Sequence, residues 1–152
     1  MADQGKLTEA IRQYEQAIQL NTSFPVIYYN LGIALASQGK LDEAIQQYQR
    51  AIQLKPDYAE ALNNFGNALG AEGKLPEAVQ QFERALQVKS DFAEAHYDLG
   101  VALARQGKLD EATPHFQQAL ALATAQNKAA LAESIRTQLK PFLPDLPQLQ
   151  TP

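Results

Sequence analysis

The sequence predicts an all-α protein, a solenoid of antiparallel helix pairs, on three observations. The first is a repeat. Gly-Lys-Leu begins at Gly5, Gly39, Gly73 and Gly107, each 34 residues after the last. Ala10, Ala44, Ala78 and Ala112 keep the same step, as do Ala17, Ala51, Ala85 and Ala119, and the aromatics Tyr14, Tyr48, Phe82 and Phe116. A fixed period of this length marks an array of one supersecondary unit. The second observation is helical spacing within the unit. Ala44, Ile45, Tyr48, Ala51, Ile52 and Leu54 lie on one stripe of a 3.6-residue helix. The third is the punctuation: Gln38-Gly39-Lys40 separates that stripe from an earlier one at Tyr28, Leu31, Gly32 and Leu35. One helix pair cannot bury both faces of its stripe, so neighbouring pairs must stack.

Taken in order, residues 1–24 read as a partial repeat, with Lys6 to Leu20 as a lone second helix. Complete units follow at residues 25–58, 59–92 and 93–126, each a helix A, a glycine turn, a helix B and a second turn. Asp42-Glu43 and Asp110-Glu111 open their B helices, where negative charge complements the helix dipole. Pro76 stands in the aspartate column, in a first turn that has no use for its missing N–H. Pro56 ends helix B of the first complete unit; Ser90 and Thr124, which occupy its column later, are expected to end theirs less sharply. Pro114 falls deeper in its helix and is expected to delete one backbone hydrogen bond and bend it. Gly32 and Ala44 mark a close crossing of helices A and B, and Tyr48 fills the space they leave. Residues 127–140 read as a capping helix with Leu131, Ile135 and Leu139 on one face. Residues 141–152 form a Pro-rich tail, expected to be extended. The stripe at Ala10, Ile11, Tyr14, Ala17 and Ile18 lacks most of its helix A partner, so the first helix is expected to fray or to bury that edge by self-association, with the tail as a second cover.

Composition narrows the function. With no cysteine among 152 residues, disulfides, thiolate metal sites and cysteine nucleophiles are excluded. Net charge is −4 and no basic stripe is visible, which argues against a nucleic-acid partner. No apolar run spans a bilayer and the N-terminus has no secretory signal pattern, so a cytoplasmic location is expected. His96 reads as a packing histidine in the column of Tyr28 and Leu62. His115 reads as a solvated one in the column of Gln47 and Gln81. Gly70-Ala71-Glu72-Gly73-Lys74 lacks the spacing and the Ser or Thr of a phosphate loop and fits the interhelical turn instead. Catalytic residues, cofactors and metal ligands are therefore all expected to be absent, and the protein is not expected to be an enzyme.

The columns resemble the tetratricopeptide repeat (TPR) family from residue 2 to about residue 126. Tyr28, Leu31-Gly32, Leu35, Ala44, Tyr48, Ala51 and Pro56 match its pattern. So do Leu62, Phe65-Gly66, Leu69, Ala78, Phe82 and Ala85, and then His96, Leu99-Gly100, Leu103, Ala112, Phe116 and Ala119. The resemblance implies a right-handed superhelix with the A helices lining a concave groove. Its lining would comprise Tyr29, Asn30, Ile33 and Ser37, then Asn63, Asn64 and Asn67, then Tyr97, Asp98, Val101 and Arg105, flanked by Val26, Glu60, Gly70 and Glu94. Asn30, Asn64 and Asp98 share a column. With helices about 8–10 Å apart and an extended chain advancing about 3.3 Å per residue, each rung meets every third peptide unit. Two roles fit the asparagines: matching a peptide's backbone amide, or bonding between neighbouring helices. The subclass that grips chaperone carboxylate tails uses Lys or Arg with Asn on these faces. Here Tyr29, Ile33, Asn64, Glu94 and Asp98 stand there, so that ligand is not expected.

The expected function is a protein-protein interaction scaffold holding an extended peptide segment, neutral or basic because Glu60, Glu94 and Asp98 face one Arg105. The alternative is an assembly or regulatory arm of a longer protein whose other domain is an enzyme such as a glycosyltransferase.

Overall fold

A computed structural model describes residues 2–140, with side chains from Gly5 onward. The Pro-rich stretch 141–152 lies outside the described residues, so the expectations placed on it are not addressed. The described residues form eight α-helices, and no strand occurs among them: α1 (Ala2–Leu20), α2 (Pro25–Ser37), α3 (Leu41–Leu54), α4 (Ala59–Ala71), α5 (Leu75–Val88), α6 (Ala93–Arg105), α7 (Leu109–Ala125) and α8 (Ala129–Leu139). The chain divides into two compact units after Ser90.

In the first unit α2 pairs with α3 and α4 with α5, while α1 packs on α2 and α3 on α4. The pairing rests on a ring against a glycine. A Cβ added at Gly32 would sit 2.5 Å from Cε1 of Tyr48, and one at Gly66 would sit 2.6 Å from Cε1 of Phe82. The aromatic edges therefore lie flat on bare helix backbone, and Ala44, Ala51, Ala78 and Ala85 beside them are fully buried. The second unit repeats this with Gly100 and Phe116, at 2.9 Å, and adds α8 against α7.

The turn from helix A to helix B is a Schellman closure. Gly39 takes a φ of 78°, its N–H donates to the Ala36 carbonyl at 2.9 Å, and the Lys40 N–H reaches the Leu35 carbonyl at 3.0 Å. Lys40 then starts α3, its carbonyl accepting from the Ala44 N–H at 3.0 Å. Gly73 and Gly107 do the same at φ 80° and 79°. No side chain caps these B helices, so the first-turn acids Asp42, Glu43 and Glu77, with Asp110 and Glu111 in the second unit, supply what favours their N-termini.

Four details depart from expectation. Gly5, in the same column, makes no turn: α1 runs through it from Ala2. Nor is α1 without cover. Ile11 is buried and the Gln38 side chain donates to the Thr8 hydroxyl at 3.3 Å. Ala10, Tyr14, Ala17 and Ile18 are only half-buried, whereas Ala44, Tyr48 and Ala51 in the same columns are 0%, 2% and 0% exposed. Third, Ser90 ends α5 as well as Pro56 ends α3, since Lys55 and Lys89 share the same backbone angles (φ −139°, ψ 90°).

The fourth departure is α7, which continues past the register at which α3 and α5 stop; Pro114 lies inside it, where the sequence placed it. Beyond Ala125 the chain turns at Asn127, a non-glycine residue at φ 56°, in a fourth Schellman closure: the Lys128 N–H meets the Ala123 carbonyl at 2.8 Å. Gln126-Asn127-Lys128 thus acts as Gln38-Gly39-Lys40 does. Asparagine substitutes because its short polar side chain tolerates the left-handed region.

Candidate functional site: the helix A face

In the first unit, α2, α3 and α4 border an open, concave pocket of about 360 Å³ lined by Ile33, Ala36, Ser37, Leu41, Tyr48, Asn64, Asn67 and Ala68. Helical spacing explains the set. Ala36 and Ser37 follow Ile33 by three and four residues on one face of α2, and Asn67 and Ala68 follow Asn64 by three and four on one face of α4. The Tyr48 ring that seats on Gly32 supplies the aromatic wall.

The polar groups are partly committed. The Ser37 hydroxyl donates to the Ile33 carbonyl at 2.9 Å. Asn64 Nδ2 donates to the Tyr29 hydroxyl at 3.3 Å, which ties α4 to α2. Tyr29 also meets the Tyr58 ring at 4.9 Å and the Tyr48 ring at 6.4 Å between centroids. Burial pushes the Tyr29 phenol above its usual pKa, with the charge of Glu60 adding to it. Burial, and then Tyr29, push Tyr48 up to about 12. These phenols stay neutral hydrogen-bonding groups through the physiological range.

Ile33, Ser37, Asn64 and Asn67 line the pocket, and Tyr29 joins it through Asn64. Asn30 is half-buried and outside the lining, and Val26 is exposed at the start of α2. Asn63 is a correction. It is only 4% exposed and does not present itself to a groove. Its column holds Tyr29 and Tyr97, which rest on the B-helix aromatics Tyr48 and Phe116 at 6.4 and 6.1 Å. A tyrosine is long enough to reach out of that seam; an asparagine at the same register ends inside it. The sequence assigned Tyr48 to packing alone, and Ala36, Leu41 and Ala68 to no site. The small residues at 36 and 68 were the available signal for a depression beside the ring.

In the second unit Tyr97, Asp98 and Val101 are half-buried along α6 and Arg105 is exposed. Two of the acids expected to set the ligand's charge have lysine partners within their own unit. Glu60 pairs with Lys89 at 3.6 Å, and Glu94 holds Lys128 through both oxygens at 2.9 Å. Lys74 of the loop at Gly70–Lys74 is itself bound to Glu72 at 2.7 Å. His115 is a second correction. It is half-buried rather than solvated, and its Nδ1 lies 3.1 Å from Nδ1 of His96, the rings stacked at 5.4 Å. Position 115 faces helix A, which one sequence column of glutamines does not reveal.

No helix among the described residues is long and apolar enough to cross a membrane. No group of three or more His, Cys, Asp or Glu residues that could hold a metal ion occurs among them.

Comparison with known proteins agrees with this architecture. A family model described as TPR repeat matches residues 2–39, 34–73 and 66–107, and one described as tetratricopeptide repeat matches 93–125. No curated protein matches the chain. Among solved structures, the crystal structure of MamA is 30% identical with a TM-score of 0.76, over 84% of this chain and 74% of that one. The crystal structure of YrrB, described as a TPR protein with an unusual peptide-binding site, is 26% identical with a TM-score of 0.74, over 90% of this chain and 69% of that one. With repeat models covering the chain from residue 2 to 125 and helix pairs closed by an aromatic on a glycine, the chain belongs to the tetratricopeptide repeat family and to the helical solenoids.

Proposed function

We propose that this protein is a non-catalytic scaffold that holds an extended segment of a partner protein along the helix A face. The observation that carries the proposal is the open pocket between α2 and α4, where Asn64 and Asn67 line the same hollow as Ile33, Tyr48 and Ala68. Amide groups over an apolar depression suit a backbone that hydrogen-bonds outside while one small apolar side chain enters. The peptide-binding site named for YrrB supports the same use of the fold. Because lysines answer Glu60 and Glu94, the preference narrows from neutral or basic segments to neutral ones.

The test is a titration with peptides selected by display against the whole chain. Asn64→Ala removes up to two hydrogen bonds and should weaken binding by about 1–3 kcal/mol. Ile33→Glu places a charge in the apolar pocket and should abolish it. Selected peptides that bind the doubly substituted chain undiminished would remove this face from the function.

A further inference from the structure

We propose that His96 of α6 and His115 of α7 form a two-imidazole chelate for a borderline divalent transition-metal ion, Ni²⁺, Zn²⁺ or Cu²⁺. The two Nδ1 atoms lie 3.1 Å apart. A metal held at about 2.0–2.1 Å from each nitrogen puts them about 2.9 Å apart at a right angle and about 3.4 Å apart at the tetrahedral angle. The observed separation falls between these limits, so the spacing of the two nitrogens already suits one shared ion, and ring rotation must turn both toward it. The rings are already stacked, with planes 29° apart and centroids at 5.4 Å, on two helices packed directly together. Both residues are half-buried, so water and ions reach them while the helices restrict their rotamers.

The chemistry follows from the donor set. Neutral imidazole is a good ligand for these ions. In the metal-free pair one Nδ1 carries the proton and the other accepts it. Chelation requires the donor ring to shift that proton to Nε2, which costs no net charge at neutral pH. Among the described residues no third His, Cys, Asp or Glu completes a cluster, so water fills the remaining positions. An ion with two protein ligands binds exchangeably, unlike a closed structural zinc. The other units carry Tyr28 with Gln47 and Leu62 with Gln81 at these positions, so the pair belongs to one repeat only.

That comparison supplies the variants. His96→Leu and His115→Gln install residues that the chain already uses in the same columns, so the fold should tolerate them. The probes are Ni²⁺ and Zn²⁺ alone, titrated calorimetrically into the full chain in a non-coordinating buffer at pH 7.5. The expected result is one equivalent bound, weakened at least about tenfold by either substitution, because the second imidazole acts at high effective concentration. Equal affinity for wild type and the double variant, or a loss with only one of the two substitutions, overturns the chelate. The Cu²⁺ complex of the unaltered chain gives a check that needs no variant. Electron-spin-echo modulation from two coordinated imidazoles is expected, and a signal from one or none refutes the proposal.

Discussion

Replacing Gly32 with alanine tests whether the glycine column exists for the ring opposite it. The new Cβ would stand 2.5 Å from Cε1, 2.7 Å from Cδ1 and 3.1 Å from Cζ of Tyr48. Carbon atoms rest at about 3.5–4.0 Å, so the ring must retreat by about 1 Å. It has little room. Tyr48 is 2% exposed, and Ala44 and Ala51 beside it are fully buried. Overpacking of this kind costs about 1–3 kcal/mol, and alanine's better helix propensity returns about 1 kcal/mol. The net expectation is a loss of about 0–2 kcal/mol.

Gly70 provides the contrast. It is also buried in an A helix, but a Cβ there meets only the Ala78 Cβ, at an ordinary 3.9 Å. Its column holds Ala36 and Ala104 in the other units. Gly70→Ala should therefore stabilise by about 0.4–1 kcal/mol. The two variants should differ by about 0.4–3 kcal/mol in urea unfolding followed by far-UV circular dichroism. Tyr48→Leu in the Gly32→Ala background should cost less than the sum of the single changes, by about 1 kcal/mol of coupling. If Gly32→Ala stabilises the chain as much as Gly70→Ala does, ring-on-glycine packing does not explain the column.

Three further outcomes are expected. Asn127→Ala should lower stability by about 1 kcal/mol and Asn127→Gly should not, since φ 56° suits glycine best; equal thermal midpoints for the two would contradict the strain assigned there. Tyr48, with its pKa raised from 10.0 to about 12, binds its proton more tightly in the folded chain, so its contribution is full below pH 10 and is lost as pH rises toward 12. Absorbance near 295 nm should show a late phenol that titrates together with unfolding, and its early, independent ionisation would count against the burial. In dilute protein, α1 amides should exchange faster than those of α3, because its stripe is half-exposed. Protection that rises with concentration would report self-association through that face, and protection equal to that of α3 at every concentration would refute the exposure argument.

The sequence by itself determined the helices, the turns and the family. These follow from local rules that each 34-residue unit repeats: a 3.6-residue apolar stripe, a glycine where φ must be positive, and glycine facing an aromatic. Repetition made each signal visible several times, so a substituted column such as Ser90 for Pro56 left the helix end in place. Only the tertiary structure decided the finer placements. Asn63 and Asn64 are neighbours of one residue type, yet one is buried and the other lines a pocket, because a helix turns about 100° per residue. That α1 runs through Gly5 was not visible in a column whose other members, Gly39, Gly73 and Gly107, all turn. His96 and His115 stand 19 positions apart, and their contact exists only where α6 and α7 cross. Glu60 and Glu94 pair with lysines 29 and 34 positions away, contacts that no column of the repeat announces. Periodicity states which residues share a helix face. Which atoms then meet across two faces is set by side-chain length and interhelical distance, and a linear pattern carries neither.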